Sequence, residues 1–382
     1  KMPFFSFSIK DSLVLLNDFN IKPKKVYFSK NTDIWKILKK QKASDLVFLK
    51  KEKRKKLLNI AESVLFCLPP SIGLGDAIEY ARALKSIKDS KLIKDFGIAF
   101  TEEYSFIFNE YFNLNNLYPY FISLENINKY SSLFHFTLEI EPLKNQKYIR
   151  SNIEKEINNY FKLTDQNDYS VKEKTNNKVK KISIFPISNS PIRTMPLNLL
   201  NKLISYLKNF FTLEVYLDRT SEISQFLLSG IIKDDILIVD CNDKAELVRC
   251  IKNIEYGIFM DSGPLHIAKL FHKKGVLIES SVSSKILLGE YNKIRPIKNY
   301  FLSKYCESPC GLTDLFNYKG KTGCYNSLKI NNLESIRNNL FYLINSRGVK
   351  NNYTTFIQKP VGCLQSISVQ HVLNLIKKDL SL

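Results

Sequence analysis

The strongest constraint on the fold of this chain is an alternation. Short apolar runs bounded by turn residues take turns with segments whose apolar residues recur at the three-to-four spacing of a buried helix face. From residue 63 onwards the runs SVLFCLP and DFGIAF flank AIEYARALKSIKDS, which carries Ile78, Ala81, Leu84 and Ile87 on one face. TEEYSFIFNEYF reads as a second helix, and YPYFIS and SSLFHFTLEI as further strands. After a polar stretch over 164–180 the alternation resumes. KISIFPI, LEVYLD, DDILIVD, YGIFM and GVLIES read as strands, with helices over 196–210, 221–231 and 244–254 between them. Residues 333–346 and 366–380 read as terminal helices. Strands that alternate with helices are joined by crossovers and pair in parallel. The expectation is an α/β protein with two Rossmann-like parallel-sheet domains, over 63–178 and 179–348. Residues 1–62 read as an N-terminal extension without a phosphate-binding turn, and 349–382 as a C-terminal tail.

Length and composition are compatible with two domains of ordinary size: 382 residues, 44% apolar and 12% aromatic. No apolar run approaches the ~18 residues of a membrane-spanning helix. The segment KMPFFSFSIKDS lacks the apolar core and small-residue cleavage site of a secretory signal, so a cytoplasmic protein is expected. The formal charge of +20 has two readings. One is a lysine-rich, AT-rich coding bias, to which the abundance of Asn and Ile also points; the other is attraction to an anionic partner. The densest basic run, Lys50-Lys51-Glu52-Lys53-Arg54-Lys55-Lys56, is either a solvated helix face or a patch drawn to anionic lipid head groups at ~1 kcal/mol per basic residue. A nucleic-acid role is a third possibility, but no zinc-finger, helix-turn-helix or RNA-recognition signature accompanies the charge.

Chemistry concentrates where strands give way to helices. In YGIFMDSGPLHIAKL an apolar run ends at Asp261, and Ser262, Gly263 and Pro264 precede a helical segment that carries His266. Such a βα turn places a carboxylate, free backbone N–H groups and a helix N-terminus at the carboxyl end of a strand, where α/β folds bind anionic ligands. Gly263 permits close backbone approach, and Pro264 suits a first helical position. The same residues also fit an ordinary βα turn. In PPSIGLGDAIEYARAL, Gly73 and Gly75 follow a strand and Asp76 stands at a helix start, where it serves either as an N-cap or as a reactive carboxylate. The dinucleotide fingerprint is absent, because Ile78 stands where its third glycine belongs.

Three of these segments resemble, in order and spacing, those of glycosyltransferase family 9, the ADP-heptose:lipopolysaccharide heptosyltransferases. D-S-G-P-L-H-I-A over 261–268 is similar to the family's D-(S/T)-G-x-x-H-(L/I)-A. Gly75-Asp76 matches its Gly-Asp pair, and SNSPIRTMP its small-polar, cationic, Trp-Pro loop, with Arg193 at the cationic position and Met195 in place of Trp. The resemblance covers roughly 63–330. It implies a GT-B arrangement, two Rossmann-like domains facing a central cleft, with the C-terminal helix (Val369, Val372, Leu373, Leu375, Ile376) packing back towards the first domain. It implies an inverting, metal-independent transferase in which Asp76 is the catalytic base. Arg193, with Ser188 and Ser190, would contact the diphosphate, and Glu222 the ribose or base. Asp261 would hold sugar hydroxyls, Ser262 and Gly263 N–H groups the diphosphate, and His266 would support them. Gly73 and Gly75 would shape the loop. The donor would be a nucleotide-diphosphate sugar such as ADP-heptose, taken as substrate rather than cofactor. The acceptor would be a lipid-linked glycan at the inner face of the bacterial inner membrane. The glycine that follows the strand before Glu222 in the family is missing here. That departure leaves open a sugar-nucleotide-binding protein without catalysis.

Seven cysteines complete the reading. Cys67, Cys241, Cys250 and Cys363 sit among apolar residues and read as small core side chains. Cys306, Cys310 and Cys324 form C-x3-C-x13-C, a structural loop, an incomplete zinc site or a disulfide in descending order of expectation.

Overall fold

The computed structural model describes residues 5–9, 14–16, 19–21, 26–29, 46–48, 63–68, 72–100, 104–119, 136–139, 151–163, 179–218, 220–241, 243–303, 307–312, 324 and 361–381. The lysine-rich run 50–56, the polar stretch 164–178, Cys306, the side chain of Cys67 and the helix expected over 333–346 lie outside them. The chain divides into two compact units, Lys1–Lys144 with Ile153–Gln166, and Asn145–Asn152 with Asn167–Leu382.

In the first unit, the region read as an extension contains five short strands: β1 (Phe5–Ile9), β2 (Val14–Leu16), β3 (Phe19–Ile21), β4 (Val26–Ser29) and β5 (Leu46–Phe48). β1 pairs antiparallel with β4 and with β5, and β2 with β3. A four-stranded sheet follows from β6 (Ser63–Cys67), β7 (Asp95–Phe100), β8 (Leu117–Pro119) and β9 (Phe136–Glu139), in the order β8-β7-β6-β9. All three pairings are parallel. Helix α1 (Leu74–Ser90) links β6 to β7 and buries Ala77, Ile78, Ala81, Leu84 and Ile87, as their spacing predicts. The segment expected as a second helix closes with a π-helical turn over Ile107–Tyr111. Helix α2 (Ile153–Phe161) packs on α1. Its first N–H, on Ile153, donates to the buried carboxylate of Glu79 at 2.8 Å, and Arg82 pairs with Glu154 at 3.0 Å. One helix thus caps the next, satisfying a donor that has no intrahelical partner.

The second unit is built on six parallel strands, β10 (Lys181–Phe185), β11 (Thr212–Tyr216), β12 (Ile236–Val239), β13 (Tyr256–Phe259), β14 (Lys274–Ile278) and β15 (Ile294–Ile297), in the order β12-β11-β10-β13-β14-β15. Its helices are α3 (Leu197–Leu207), α4 (Glu222–Gly230), α5 (Lys244–Lys252), α6 (Gly263–Leu270), α7 (Ser284–Leu288), α8 (Gly362–Gln365) and α9 (Val369–Leu380). Alternation along each strand sends Ile182 and Ile184, Leu213 and Val215, Tyr256 and Ile258, and Val276 and Ile278 to one face, where they share a core with α3 and α9. Strand β15 was not expected. Pro296 reads as a breaker, yet it is tolerated because β15 is an edge strand.

The opposite face carries an aromatic row. Phe185 stacks on Tyr216 at 4.5 Å and on Phe259 at 5.2 Å, so that three adjacent strands end on one continuous stack. The row needs space: a Cβ on Gly257 would lie 2.1 Å from the Phe259 ring, and one on Gly275 would lie 2.1 Å from the carbonyl oxygen of Gly257.

The C-terminal helix buries Val372, Leu373 and Ile376, residues of its expected apolar stripe, in the second unit's core, against α3, β14 and β15. Its hold is also polar. Asp379 accepts a hydrogen bond from the hydroxyl of Tyr256 at 2.9 Å and pairs with Arg295. Burial and the Asp379 carboxylate push the Tyr256 hydroxyl far above its ordinary range, so it stays a donor. Among the described residues no helix is long and apolar enough to cross a membrane.

Replacing Asp379 by Ala leaves the 1%-exposed Tyr256 without its acceptor and should lower unfolding free energy by about 1–3 kcal/mol in urea titrations. Gly275→Ala, which drives a methyl into the neighbouring backbone, should cost at least ~1–3 kcal/mol in the same measurement.

Candidate functional site

In the second unit the connections from β10 run outward to β11 and β12, while β13 to β15 build on the other side. The sheet therefore reverses between β10 and β13. Loops leaving the carboxyl ends of strands on either side of such a reversal diverge and leave a crevice, the usual ligand site of open parallel sheets. Both loops that flank this reversal carry expected site residues. After β10, the loop 186–196 is folded on Thr194, whose hydroxyl accepts from the Ser188 N–H at 3.2 Å and lies 2.9 Å from the Ser190 carbonyl, to which it donates. Arg193 N–H also donates to the Ser190 carbonyl. Met195, in place of the resembled family's Trp, is a fully buried member of the core, and its N–H donates to the Pro186 carbonyl at 2.8 Å. Both anchors point the 3-10 turn Pro191–Arg193 across the reversal.

There Arg193 meets Asp261. One guanidinium nitrogen lies 3.3 Å from Asp261 Oδ2 and 3.3 Å from the Asp261 carbonyl oxygen, to which it donates. Asp261 is 4% exposed. Its Oδ2 is buried with no hydrogen-bond donor among the described residues, so the contact with Arg193 is ionic rather than a formed hydrogen bond. A buried carboxylate oxygen in that state is costly unless donors reach it. The Arg193 side chain is 18% exposed, which leaves part of the guanidinium reachable. The residues read separately, a cation for phosphate and a carboxylate for hydroxyls, are thus one ion pair spanning two strands.

Ser262 is the N-cap of α6, and Gly263 and Pro264 open the helix. The Ser262 side chain makes no cap bond, and its hydroxyl lies 3.4 Å from the Met260 carbonyl. N–H groups in a first helical turn have no intrahelical acceptor, and the helix dipole adds partial positive charge there. His266, one turn on, is buried within α6. Ser188 and Ser190 are both buried, and the Ser190 hydroxyl has no hydrogen-bond partner among the described residues. Glu222 is the first residue of α4, after N-cap Ser221, at the carboxyl end of β11; its side chain lies outside the described residues. The glycine missing before it is replaced by a turn made by Asp218, whose carboxylate accepts from the N–H and hydroxyl of Thr220 at 2.8 and 2.6 Å.

In the first unit the turn after β6 differs from expectation in register. Gly73, not Asp76, is the N-cap of α1, and Gly75 and Asp76 are its second and third helical positions. Asp76 reaches back to accept from the Gly73 N–H at 2.9 Å. The helix starts three residues earlier than expected because buried Leu74 already belongs to its apolar face. The Asp76 carboxylate is exposed, and the turn before it is held by the buried Tyr104 hydroxyl, which donates to the Ile72 carbonyl at 2.9 Å.

Of the cysteines, Cys363 is buried as expected. Cys241 and Cys250 are half-buried with sulfurs 3.6 Å apart, a hydrogen-bonded thiol pair rather than isolated core side chains. Burial and the Cys250 hydrogen bond push the Cys241 thiol up to about 12, so it stays protonated. Cys310 and Cys324 are half-buried and pack against the core. Among the described residues no group of three His, Cys, Asp or Glu could hold a metal ion. The residue that sequence reading missed is Thr194, whose position between the cationic residue and Met195-Pro196 was its only signal.

No family profile and no curated protein matches the sequence. Among solved structures, the chain is similar to a glycosyl transferase family 9 protein from Veillonella parvula at 11% identity, covering 85% of this chain and 98% of that one with a TM-score of 0.49. It is also similar to the E. coli heptosyltransferase WaaC with ADP-2-deoxy-2-fluoro heptose, at 10% identity over 72% of this chain and 99% of that one (TM-score 0.44). A third is the iron-containing dodecameric glycosyltransferase TibC from enterotoxigenic E. coli, at 11% identity over 100% of this chain and 93% of that one (TM-score 0.45).

Replacing Arg193 by Ala leaves the Asp261 carboxylate buried without its counter-charge. The expected loss is about 2 kcal/mol in denaturant titrations, below the figure for a fully buried pair because Arg193 is partly solvated. Arg193→Ala with Asp261→Asn should recover part of it.

Proposed function

We propose that this protein is an inverting glycosyltransferase that binds a nucleotide-diphosphate sugar at the β10–β13 reversal and transfers the sugar to a hydroxyl of a glycan acceptor. The reading is carried by one observation: the Arg193–Asp261 pair spans the reversal of a parallel sheet, beside the N-terminus of α6. A guanidinium and helix N–H groups complement a diphosphate, and stabilise the negative charge that grows on it as the glycosidic bond breaks. A carboxylate with an oxygen lacking donors complements sugar hydroxyls. The row combines both chemistries in one ligand-sized stretch.

In this reading Asp76 is the general base. Its exposed carboxylate takes the proton of the acceptor hydroxyl, whose oxygen attacks the anomeric carbon opposite the leaving diphosphate. One displacement inverts the anomeric configuration. Arg193 and the α6 N-terminus supply the charge compensation that a divalent cation gives in other transferases, so the reaction is proposed to need no metal and no resident cofactor. Ser188 and Ser190 donate to phosphate oxygens, Glu222 accepts from the ribose, Ser262 and Gly263 hold the diphosphate, and His266 supports that turn. Resemblance of the 261–268 segment to heptosyltransferases makes ADP-heptose the first donor to test. A lipid-linked, lipopolysaccharide-type acceptor at the cytoplasmic face of a membrane follows from the same resemblance, and the lysine-rich run 50–56 suits an anionic membrane surface.

The donor is tested by thermal shift against ADP, UDP, GDP and their sugars. A ligand at a hundred times its dissociation constant stabilises by about 2.7 kcal/mol, and a chain that responds to none of them refutes the reading. Asp76→Asn keeps an acceptor for the Gly73 N–H but removes the base. Transfer should fall by about two orders of magnitude or more with donor affinity unchanged; equal transfer by both proteins removes Asp76 from the chemistry.

A further inference from the structure

Beyond the residues assigned above, the carboxyl edge of the sheet continues past Asp261 to the loop that follows β14. Glu279, Ser280 and Ser281 there are all at most 2% exposed. The loop's backbone is held from outside. The Ser280 carbonyl accepts from the Ser308 hydroxyl at 2.9 Å, and the Ser281 carbonyl accepts from the Gly311 N–H at 2.6 Å. Glu279 accepts from the Ser284 N–H at 2.6 Å and so closes the start of α7. While both carbonyls are bonded, the hydroxyls of Ser280 and Ser281 have no hydrogen-bond partner among the described residues. Buried hydroxyls in that state are uncommon, because leaving one unpaired costs about 1–3 kcal/mol. The hydroxyls of Ser190, Ser280 and Ser281, without hydrogen-bond partners among the described residues, and Asp261 Oδ2, held only by its ion pair with Arg193, lie in the loops that follow three adjacent strands, β10, β13 and β14.

We infer that Ser280 and Ser281 extend the site along the sheet edge and bind the hydroxyls of the glycosyl group of the donor. This rests on the nucleotide-sugar reading and adds to it the part of the ligand that this loop recognises. Strand order sets the direction. The cation of the set, Arg193, stands on the β10 side, and Asp261 on β13 separates it from the serines on β14. Two carboxylate residues neighbour the serines, Asp261 after the adjacent strand β13 and Glu279 beside them in their own loop. Those charges repel a phosphate and accept protons from neutral hydroxyls, while a serine hydroxyl can donate or accept. A ligand that is anionic at one end and polyhydroxylated at the other fits the row in one orientation only.

The test compares wild type, Ser280→Ala, Ser281→Ala and the double variant by calorimetric titration with ADP, ADP-heptose, UDP and UDP-glucose. Removing an unpartnered hydroxyl should leave the melting temperature unchanged or raised, which separates binding from folding. The expected result is a nucleoside diphosphate affinity within twofold of wild type, with nucleotide-sugar affinity about five- to tenfold weaker in the double variant. Equal nucleotide-sugar affinity in the double variant and wild type overturns the inference and leaves the nucleotide-sugar reading standing. An equal weakening for the nucleoside diphosphate alone also overturns it, since the serines would then serve the phosphates. Wild type that binds none of the four probes overturns the nucleotide-sugar reading and this inference with it.

Discussion

The ion pair between Arg193 and Asp261 is the interaction on which the second unit's chemistry depends. It joins loops from two strands that are neighbours in the sheet but 68 positions apart in sequence. Neither loop is positioned alone: Thr194 and Met195 shape one from within, and the first turn of α6 shapes the other. The pair sets the charge pattern of the sheet edge, with a partly solvated cation on one side and a buried anion on the other. Electrostatics in such a setting are strong because little water screens them, and the polar atoms without partners follow the same edge outward.

Beneath that edge the sheet is unusually close-fitting. The stacked rings of Tyr216, Phe185 and Phe259 lie just before the loops that carry the site, and they lie flat only because Gly257 and Gly275 leave room. Tyr216 is further tied to Glu214, which also accepts from Ser183 and pairs with Lys181. Side chains in such a bed have few alternative rotamers, so the residues they support keep their spacing.

Much of this architecture was legible in residue order. Every strand of the second sheet except β15 announced itself as an apolar run, and α1 as a stripe of Ile78, Ala81, Leu84 and Ile87, because burial imposes a period on the chain. The exception follows from the same logic, since Pro296 breaks the pattern and is tolerated only at an edge. The turn chemistry was harder to read. Asp76 was recognised as a helix-start carboxylate but placed three positions early, because Gly73 caps without a side chain that advertises it. The Arg193–Asp261 contact was invisible for a different reason. It depends on which strands become neighbours, and spacing along the chain does not encode that order. The thiol pair of Cys241 and Cys250 escaped likewise, since one cysteine follows a strand and the other rides a helix. The apolar face of α9 was legible as a stripe, while the polar anchor that Asp379, outside the stripe, adds through Tyr256 and Arg295 was not.

That last anchor has a consequence for how the protein is made. Strand β13, which delivers Asp261, has its first residue, Tyr256, bonded to Asp379, 123 positions later. A nascent chain that has emerged through α6 holds every loop of the ion-paired row on β10 and β13, yet one side of their sheet is still bare of the helix that covers it. The core on that face is therefore completed only when α9 has left the ribosome, and a chain cut short before α9 would carry the row's residues on a sheet lacking part of its core and the Tyr256–Asp379 bond.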